Sequence, residues 1–471
     1  PLRAVMIAVP QKGGHTLKKF IAILLTLIFV LSVFTACAAK PAEQPAASNG
    51  NDAPAAESDG QKGFEGMTLT IAQNNIDTST GEAIRAEFDA FSEKYGCTIE
   101  LEILSANADE AENVMLTRAA TGNLPDVFLS TIGAKMEELD PKTNMYDISG
   151  QSWVRENVNA GFLDIVTDDE TGAIYGVPVY TSNVAGVFYN KPAYEELGLE
   201  IPTTWDEFLA NCAVIREKSD KDPVVGAYNN AAGCQILYLS QYYYVQNNTP
   251  TFADDYTERK TTLAENADFM RGLEKLNDLS ELGYLNSDPL ATSFEDSAIM
   301  LAEGSAVHTF CRTNIMATIE SSAPDKMEDI GFFPLPDTDP NVRGVAMWMP
   351  SAWCINKNIG ESKLELALKL LEFLGTSEAT DAYTSVISPT GAFMLNGIEM
   401  PSNVSTAVQE AQAWAEKAST PVMEYFCDIK GSNLATILSM VGTSQYTPEE
   451  GISEIEADNA IDAQQKGVAG W

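Results

Sequence analysis

The composition of this 471-residue chain excludes several classes of protein before any motif is considered. Hydrophobic residues make up 45% and aromatic residues 9%, which excludes a disordered or fibrous chain, and the length suits two or three domains. Asp and Glu number 67 against 29 Lys and Arg, and the resulting net charge of −38 repels nucleic-acid phosphates. A solvated acidic surface is the simplest reason for this charge, and attraction of a cationic ligand is the alternative.

Residues 1–36 have the pattern of a bacterial secretion signal, with translation also able to begin at Leu17. A short basic start precedes an apolar run at 20–33, which is shorter than the roughly 20 apolar residues of a membrane-spanning helix. The following FTAC resembles the lipobox of bacterial lipoproteins, which implies that Cys37 carries a lipid on the outer face of the cell membrane. Residues 37–66 are rich in Pro, Ala, Ser and Gly and are typical of a flexible tether.

The first globular part alternates strands and helices. We predict strands at 67–73, 97–104 and 124–130, with amphipathic helices at 81–96 and 111–122 between them. Strands joined through helices by short loops are typical of a parallel sheet, so we expect an α/β fold here.

Helices dominate from Lys191 onward. Thr204, followed three residues later by Glu207, has the pattern of a capping box at a helix start. Strands are predicted at 222–228 and directly after Gly304. The remaining predicted helices cover 191–200, 203–219, 233–246, 267–283, 294–303, 362–375 and 447–465. Two α/β lobes that exchange chain segments fit this order better than one large sheet.

Few residues in the sequence favour catalysis or metal binding. Beyond the signal segment, His308 is the only histidine, which excludes His-rich metal sites and disfavours a catalytic triad. The sequence has no P-loop, zinc-protease or dinucleotide-binding motif, so we expect no metal and no cofactor. With so many acids, a catalytic carboxylate pair stays open as an alternative.

Six further cysteines follow Cys37 without C-x-x-C spacing. We expect mostly buried free thiols, because cysteine packs as a small hydrophobic residue, with three disulfides as the alternative. The six are Cys97, Cys212, Cys234, Cys311, Cys354 and Cys427.

Several segments resemble, in the same order, the extracellular solute-binding proteins that feed ABC importers, in particular the maltose-binding-protein-like sugar-binding group. They are FDAFSEKYGCTIELEI, TGNLPDVF, TGAIYGVPVYTSNVAGVFYNKPAYEELGLEIPTTWDEF, LAEGSAVHTF, IGFFPLPD, AWCINKNIGESKLELALKLLEFL and TPEEGISEIEADNAID. The likeness covers roughly residues 67–465.

The resemblance implies a two-lobed periplasmic-binding-protein-like fold of type II, with hinge strands between α/β lobes and a ligand cleft. It implies a lipid-anchored monomer that captures a mono- or oligosaccharide and delivers it to ABC permease subunits without being an enzyme. A tethered carbohydrate-active enzyme, a binding protein for another solute and a sensor subunit are the alternatives. The implied lobes are 67–178 with 342–378 and 179–341 with 379–471, and the implied hinges lie near 175–180, 341–347 and 376–388.

Sugar recognition requires aromatic rings for the apolar sugar faces and paired donors and acceptors for the hydroxyl groups. We look for such residues where loops leave the carboxyl ends of strands. Asp126 can instead cap local backbone, and Trp205 and Trp353 are expected in the core. The candidate ligand-binding residues are Gln73, Asn74, Asn75, Asp126, Tyr180, Ser182, Asn183, Tyr228, Asn229, Thr309, Arg312, Trp348 (as a stacking platform), Tyr425 and Asp428.

Overall fold

A computed structural model describes residues 63–74, 78–105, 108–229, 232–402 and 404–471. The signal segment, Cys37, residues 37–62 of the tether and Asn75 lie outside these residues. The chain separates into units 1–58 and 59–471, and the described residues all belong to the second. Among its described residues, no helix has the length and apolar character needed to cross a bilayer.

The described strands form two separate sheets. They are Thr68–Gln73 (β1), Thr98–Ile103 (β2), Val127–Ser130 (β3), Val177–Pro178 (β4), Asn183–Asn190 (β5), Asp222–Val224 (β6), Ala306–Arg312 (β7), Ile330–Phe333 (β8), Val345–Trp348 (β9), Ala352–Ile355 (β10) and Ser419–Pro421 (β11).

Helices cover both sheets. They are Thr78–Tyr95 (α1), Ala108–Thr121 (α2), Pro141–Asn144 (α3), Ser152–Asn157 (α4), Ala160–Val166 (α5), Lys191–Leu197 (α6), Trp205–Lys218 (α7), Ala232–Ser240 (α8), Tyr242–Asn248 (α9), Phe252–Thr257 (α10), Ala267–Glu281 (α11), Phe294–Glu303 (α12), Ile315–Ser322 (α13), Glu361–Leu374 (α14), Ser377–Thr384 (α15), Thr406–Lys417 (α16), Leu434–Val441 (α17) and Pro448–Lys466 (α18). Short 3₁₀ helices span Gly133–Leu139, Pro324–Asp329 and Met423–Tyr425.

The first sheet has the order β2-β1-β3-β10-β4. The pairs of β1 with β2 and with β3 are parallel, as the alternation of strands and helices predicts. Strand β10, from far along the chain, lies antiparallel between β3 and β4. Helices α1 and α14 pack against this sheet, and α15 packs against both helices, so this lobe is completed by a late chain segment.

The second sheet has the order β11-β9-β5-β7-β6, and β8 also pairs with β5. Strand β5 is central and antiparallel to β7, β8 and β9. Its residues are buried almost throughout, and helices that include α7, α8, α11, α17 and α18 form a second hydrophobic core with the sheet.

Three segments carry the chain between the sheets: residues 179–182, 349–351 and 385–405. They lie side by side, because the Val179 amide donates to the Ser351 carbonyl (3.0 Å) and the Ser182 amide donates to the Ala392 carbonyl (2.8 Å). The sequence placed the second crossing near 341–347, but residues 345–348 pair within the second sheet. The lobe boundaries themselves stay a prediction.

Local signals are confirmed where they depend on neighbouring residues. Thr204 and Glu207 form the predicted capping box at the start of α7, and all six described cysteines are free and buried. Trp353 is fully buried, and the Trp205 ring stacks on Phe208 with ring centroids 4.9 Å apart. The strand predicted at 222–228 is shorter, because backbone pairing ends at Val224.

Candidate functional site

A cavity of about 690 Å³ lies between the two lobes. Met349 and Ser351 of a crossing segment form part of its wall. The first lobe contributes Thr131, Ile132, Lys135 and Glu138, and the second lobe contributes Gln235, Glu424, Tyr425, Cys427, Asp428, Lys430, Gly431, Ser432, Leu434, Ala435, Asp462 and Lys466.

The part of the cavity wall that belongs to the first lobe begins directly after β3. Thr131 comes directly after this strand, at the edge of the sheet where parallel strands end. The 3₁₀ helix that begins at Gly133 then turns the chain so that Lys135 and Glu138 face the cavity.

Tyr425 provides an aromatic surface in the opposite wall. It ends a 3₁₀ helix after β11, and its hydroxyl donates to the carbonyl oxygen of Met349 (3.1 Å). Burial, with a smaller effect of the Glu424 charge, raises the pKa of Tyr425 above its usual range, so the hydroxyl keeps its proton. The ring is thereby held against a crossing segment.

Lys466, near the end of α18, is bound by several carboxylates. Its Nζ lies 2.8 Å from Asp428, 3.3 Å from Asp462 and 3.8 Å from Glu138 in the other lobe. Burial alone would lower the pKa of Lys466, but the hydrogen bond to Asp428 and the nearby negative charges outweigh burial and raise it. Burial, and then the charge of Asp428, raise the pKa of Glu138.

The other two cavity lysines are also paired. Lys430 Nζ lies 2.7 Å from Glu424, and Lys135 Nζ lies 2.5 Å from Glu112. The wall therefore presents many hydrogen-bonding groups whose charges largely compensate each other. Such a surface can bind a polar ligand without demanding a charge on it.

Trp348 lies beside the cavity. Its indole N–H donates to Glu424 (3.0 Å), and the Arg312 guanidinium lies over its ring at 5.4 Å from the centroid. Only 8% of Trp348 is exposed, which leaves little free ring face for the predicted stacking on ligand. Asn183 is half-buried and pairs with Trp348 across β5 and β9, and Tyr180 is half-buried in the adjoining crossing segment.

A smaller pocket of about 100 Å³ in the first lobe shares Thr131, Lys135 and Ser351 with the cavity. Asn74 lines it, and the buried side-chain carbonyl oxygens of Asn74 and Gln73 have no hydrogen-bond partner among the described residues. Buried acceptors without partners cost free energy, and a bound polar molecule can satisfy them. Both residues were predicted from their position after the first strand.

Asp126 does not reach the cavity. Its carboxylate accepts hydrogen bonds from the amide and hydroxyl of Thr70 (2.8 and 2.9 Å) and from Lys363 (2.7 Å). It therefore ties β1 to α14, which agrees with the structural alternative given above for this residue.

Four other candidates lie away from the cavity wall. Ser182 is fully buried because its crossing segment hydrogen-bonds to Ala392, and Tyr228 packs in the core of the second lobe. Thr309 is buried within β7, where its hydroxyl donates to the Val225 carbonyl (3.4 Å). Asn229 is exposed, and its amide donates to Thr292. A position near a strand end did not suffice to identify cavity residues here.

The structure also adds residues that the sequence argument did not name. Thr131 could have been found by the rule used for Gln73, because it follows a predicted strand. Gln235, Glu424 and Lys466 carry no local signal, since only tertiary packing brings them to the cavity. Within the described parts of the chain, no group of three or more His, Cys, Asp or Glu side chains could hold a metal ion.

A family model for bacterial extracellular solute-binding proteins matches residues 76–381, most of the described chain. The chain belongs to this family. Proteins of the family bind solutes and are not enzymes, so the carboxylate-pair alternative is not supported.

Two curated proteins resemble this solute-binding protein. One is the multiple sugar-binding protein of Streptococcus mutans, 22% identical over 295 residues that cover 61% of this chain and 67% of that protein. The other is the melibiose/raffinose/stachyose-binding protein MelE of Bacillus subtilis, 23% identical over 305 residues that cover 63% of this chain and 68% of that protein.

Solved structures confirm the predicted two-lobed fold of this solute-binding protein. A chitin oligosaccharide binding protein superimposes with a TM-score of 0.67 at 20% identity, covering 84% of this chain and 99% of that one. RafE in complex with raffinose gives a TM-score of 0.66 at 19% identity, with the same coverage of 84% and 99%.

Proposed function

We propose that this protein captures a carbohydrate between its lobes and delivers it to the permease subunits of an ABC importer. The observation that carries the proposal is the inter-lobe cavity of about 690 Å³, which combines an aromatic ring with charge-compensated polar groups. The volume falls within the roughly 300–1,000 Å³ range of small-molecule sites. The sugar-binding relatives and structural neighbours support the same class of solute.

The wall fits the two kinds of surface that a sugar presents. The Tyr425 ring offers an apolar face for a pyranose ring, since ring C–H groups pack on aromatic faces. Carboxylates such as Asp428 accept hydrogen bonds from sugar hydroxyls, and Lys430 and Gln235 can donate to them. The side-chain oxygens of Gln73 and Asn74 have no hydrogen-bond partner in the part of the chain that the structure describes, and they offer further acceptors on the first lobe.

A panel of mono- and oligosaccharides tests the proposal by calorimetry and thermal shift. A sugar at 100 times its dissociation constant is expected to stabilise the protein by about 2.7 kcal/mol. A response to amino acids, peptides or polyamines with silence across the sugars would assign another solute. Release of reducing ends from an oligosaccharide would contradict a pure binding role.

Tyr425→Ala is expected to weaken sugar binding about tenfold, because it removes the only aromatic ring among the cavity-lining residues described here. Tyr425→Phe is the matched control: it keeps the ring and loses the single hydrogen bond to Met349, so its affinity should stay within a few-fold of wild type. Calorimetric titration measures both, and equal losses for the two variants would contradict a stacking role.

We also propose that the protein is held at the outer face of the membrane by a lipid on Cys37. The support is the lipobox-like FTAC and the tether-like composition of residues 37–66. Cys37→Ala is expected to abolish incorporation of labelled palmitate and release the protein into the culture medium. Continued labelling of the variant would place the lipid elsewhere or end this part of the proposal.

A further inference from the structure

We infer that Gly133 is a positioning residue for lobe closure, because its missing side chain permits a close approach between the backbones of the two lobes. Gly133 begins the 3₁₀ helix of the first lobe, and it faces the 3₁₀ helix Met423–Tyr425 of the second. A Cβ atom at this position would lie 2.7 Å from Cα and 2.9 Å from the carbonyl carbon of Tyr425. The inference rests on the proposed capture of ligand between the lobes.

The obstruction that a side chain would meet is backbone. Contacts below 3.0 Å to a flexible side chain can be relieved by a new rotamer, but main-chain atoms move only with their whole element. Any residue other than glycine at 133 therefore requires the two 3₁₀ helices to separate. Gly133 also has a φ of 67°, a conformation that L-amino acids adopt with strain.

The contact lies at the edge of the ligand cavity. Ile132, directly before Gly133, and Tyr425, directly opposite, both line that cavity. A second contact between the lobes is nearby, where Lys466 Nζ lies 3.8 Å from Glu138. Both contacts join one lobe to the other, so separation of the lobes breaks them together.

The size of residue 133 therefore affects the equilibrium between the open and closed forms. A ligand held by both lobes binds tightly only to the closed form, and its apparent affinity falls in proportion to the population of that form. Gly133→Ala should raise the free energy of the closed form and leave the open form nearly unaffected. We expect sugar binding to weaken about tenfold or more, mainly through faster dissociation.

Gly122 supplies a matched control within the same lobe. It has a φ of 69°, but a Cβ added there would meet no heavy atom within 4 Å. Gly122→Ala therefore carries the same conformational strain without the contact to Tyr425. A difference between the two variants in sugar affinity or in radius of gyration is therefore due to the contact between residue 133 and Tyr425.

The experiment measures the radius of gyration by small-angle X-ray scattering and the sugar affinity by calorimetry for the wild type and both variants. Gly133→Ala should give a larger radius with saturating sugar and the weaker binding, while Gly122→Ala matches the wild type in both. Because the open form avoids the obstruction, Gly133→Ala must also fold, with an unfolding midpoint close to that of Gly122→Ala.

Equal radii and equal affinities for the two variants would overturn the inference, and so would loss of folding in Gly133→Ala alone. If no sugar binds the wild type, the proposed function fails. The scattering comparison without ligand then still tests the inference, because the contact between Gly133 and Tyr425 is present in the structure itself. A larger radius for Gly133→Ala than for Gly122→Ala supports the inference, and equal radii overturn it.

Discussion

Asp337→Ala is expected to lower the free energy of unfolding by about 3–5 kcal/mol, because it leaves a buried ammonium group without its counter-charge. The group belongs to Lys275 on α11, which is only 1% exposed. Its Nζ lies 3.6 Å from Asp337 and donates to the Gln241 side chain (2.9 Å) and the Pro336 carbonyl (2.7 Å). The loss should be measured by urea unfolding at neutral pH.

The size of this effect follows from the surroundings of the pair. Burial lowers the pKa of Lys275 to about 8, while the Asp337 charge opposes that shift. Arg271 Nε also lies 3.2 Å from Asp337, so removing the carboxylate leaves two cations close together. The Trp205 and Tyr244 rings, each with its centroid 5.4 Å from the ammonium, compensate only part of the loss.

An exposed ion pair on the same lobe provides the control. Lys326 and Asp329 lie 3.3 Å apart with 43% and 34% of their side chains exposed. Asp329→Ala should therefore change stability by less than about 1 kcal/mol. The double variant Lys275→Met with Asp337→Leu should recover part of the loss, because no buried charge remains. Recovery stays incomplete because the buried Gln241 amide loses its hydrogen bonds to both side chains. A loss below 1 kcal/mol for Asp337→Ala would contradict this account.

The elements that the sequence predicts well are those fixed by neighbouring residues. The apolar spacing of 81–96 and of 362–375 appears as α1 and α14, and the Thr204–Glu207 capping box forms as expected. Helices α3 to α5 were not predicted, because each has only four to seven residues and depends on packing for its stability.

Long-range pairing could not be predicted in the same way. Strand β10 inserts antiparallel into the first sheet, and β9, only three residues earlier, belongs to the second. Both are short, apolar and fully buried, so their patterns are alike, and only tertiary pairing distinguishes them. For this reason the sequence predicted the second crossing near 341–347, whereas the structure has it at 349–351.

The cavity residues also fall into those that the sequence argument predicted and those that only tertiary packing reveals. Tyr425 and Asp428 were predicted through the resemblance and do line the cavity. Lys466 was not, because it belongs to a long helix whose sequence suggests only a solvated surface. Thr309 shows the converse: its hydroxyl donates to the carbonyl of the distant Val225, so this predicted residue lies buried in β7 and not in the cavity wall.

We expect His308 to lower the free energy of unfolding by about 3 kcal/mol in total as the pH falls from about 6.5 to about 4. The imidazole is fully buried, and burial lowers its pKa to about 4, with the Pro223 hydrogen bond opposing the shift. Nδ1 lies 2.7 Å from the Pro223 carbonyl, which can only accept, so Nδ1 carries the proton. Nε2 then accepts from the Tyr194 hydroxyl at 2.7 Å.

The direction of this effect follows from proton binding. Between the two pKa values the unfolded chain binds a proton at His308 that the folded protein does not, so lowering the pH favours unfolding. Above about pH 6.5 the contribution is fully present, and below about 4 the loss levels off.

Urea unfolding across this range measures the total pH dependence of stability, to which carboxylates also contribute. His308→Gln isolates the histidine, because glutamine keeps one donor and one acceptor without titrating, and its stability should fall less steeply with pH. In NMR spectra, the imidazole signal of His308 is the one that is missing from this variant. It should titrate near pH 4, and titration near 6.5 would contradict a buried neutral ring.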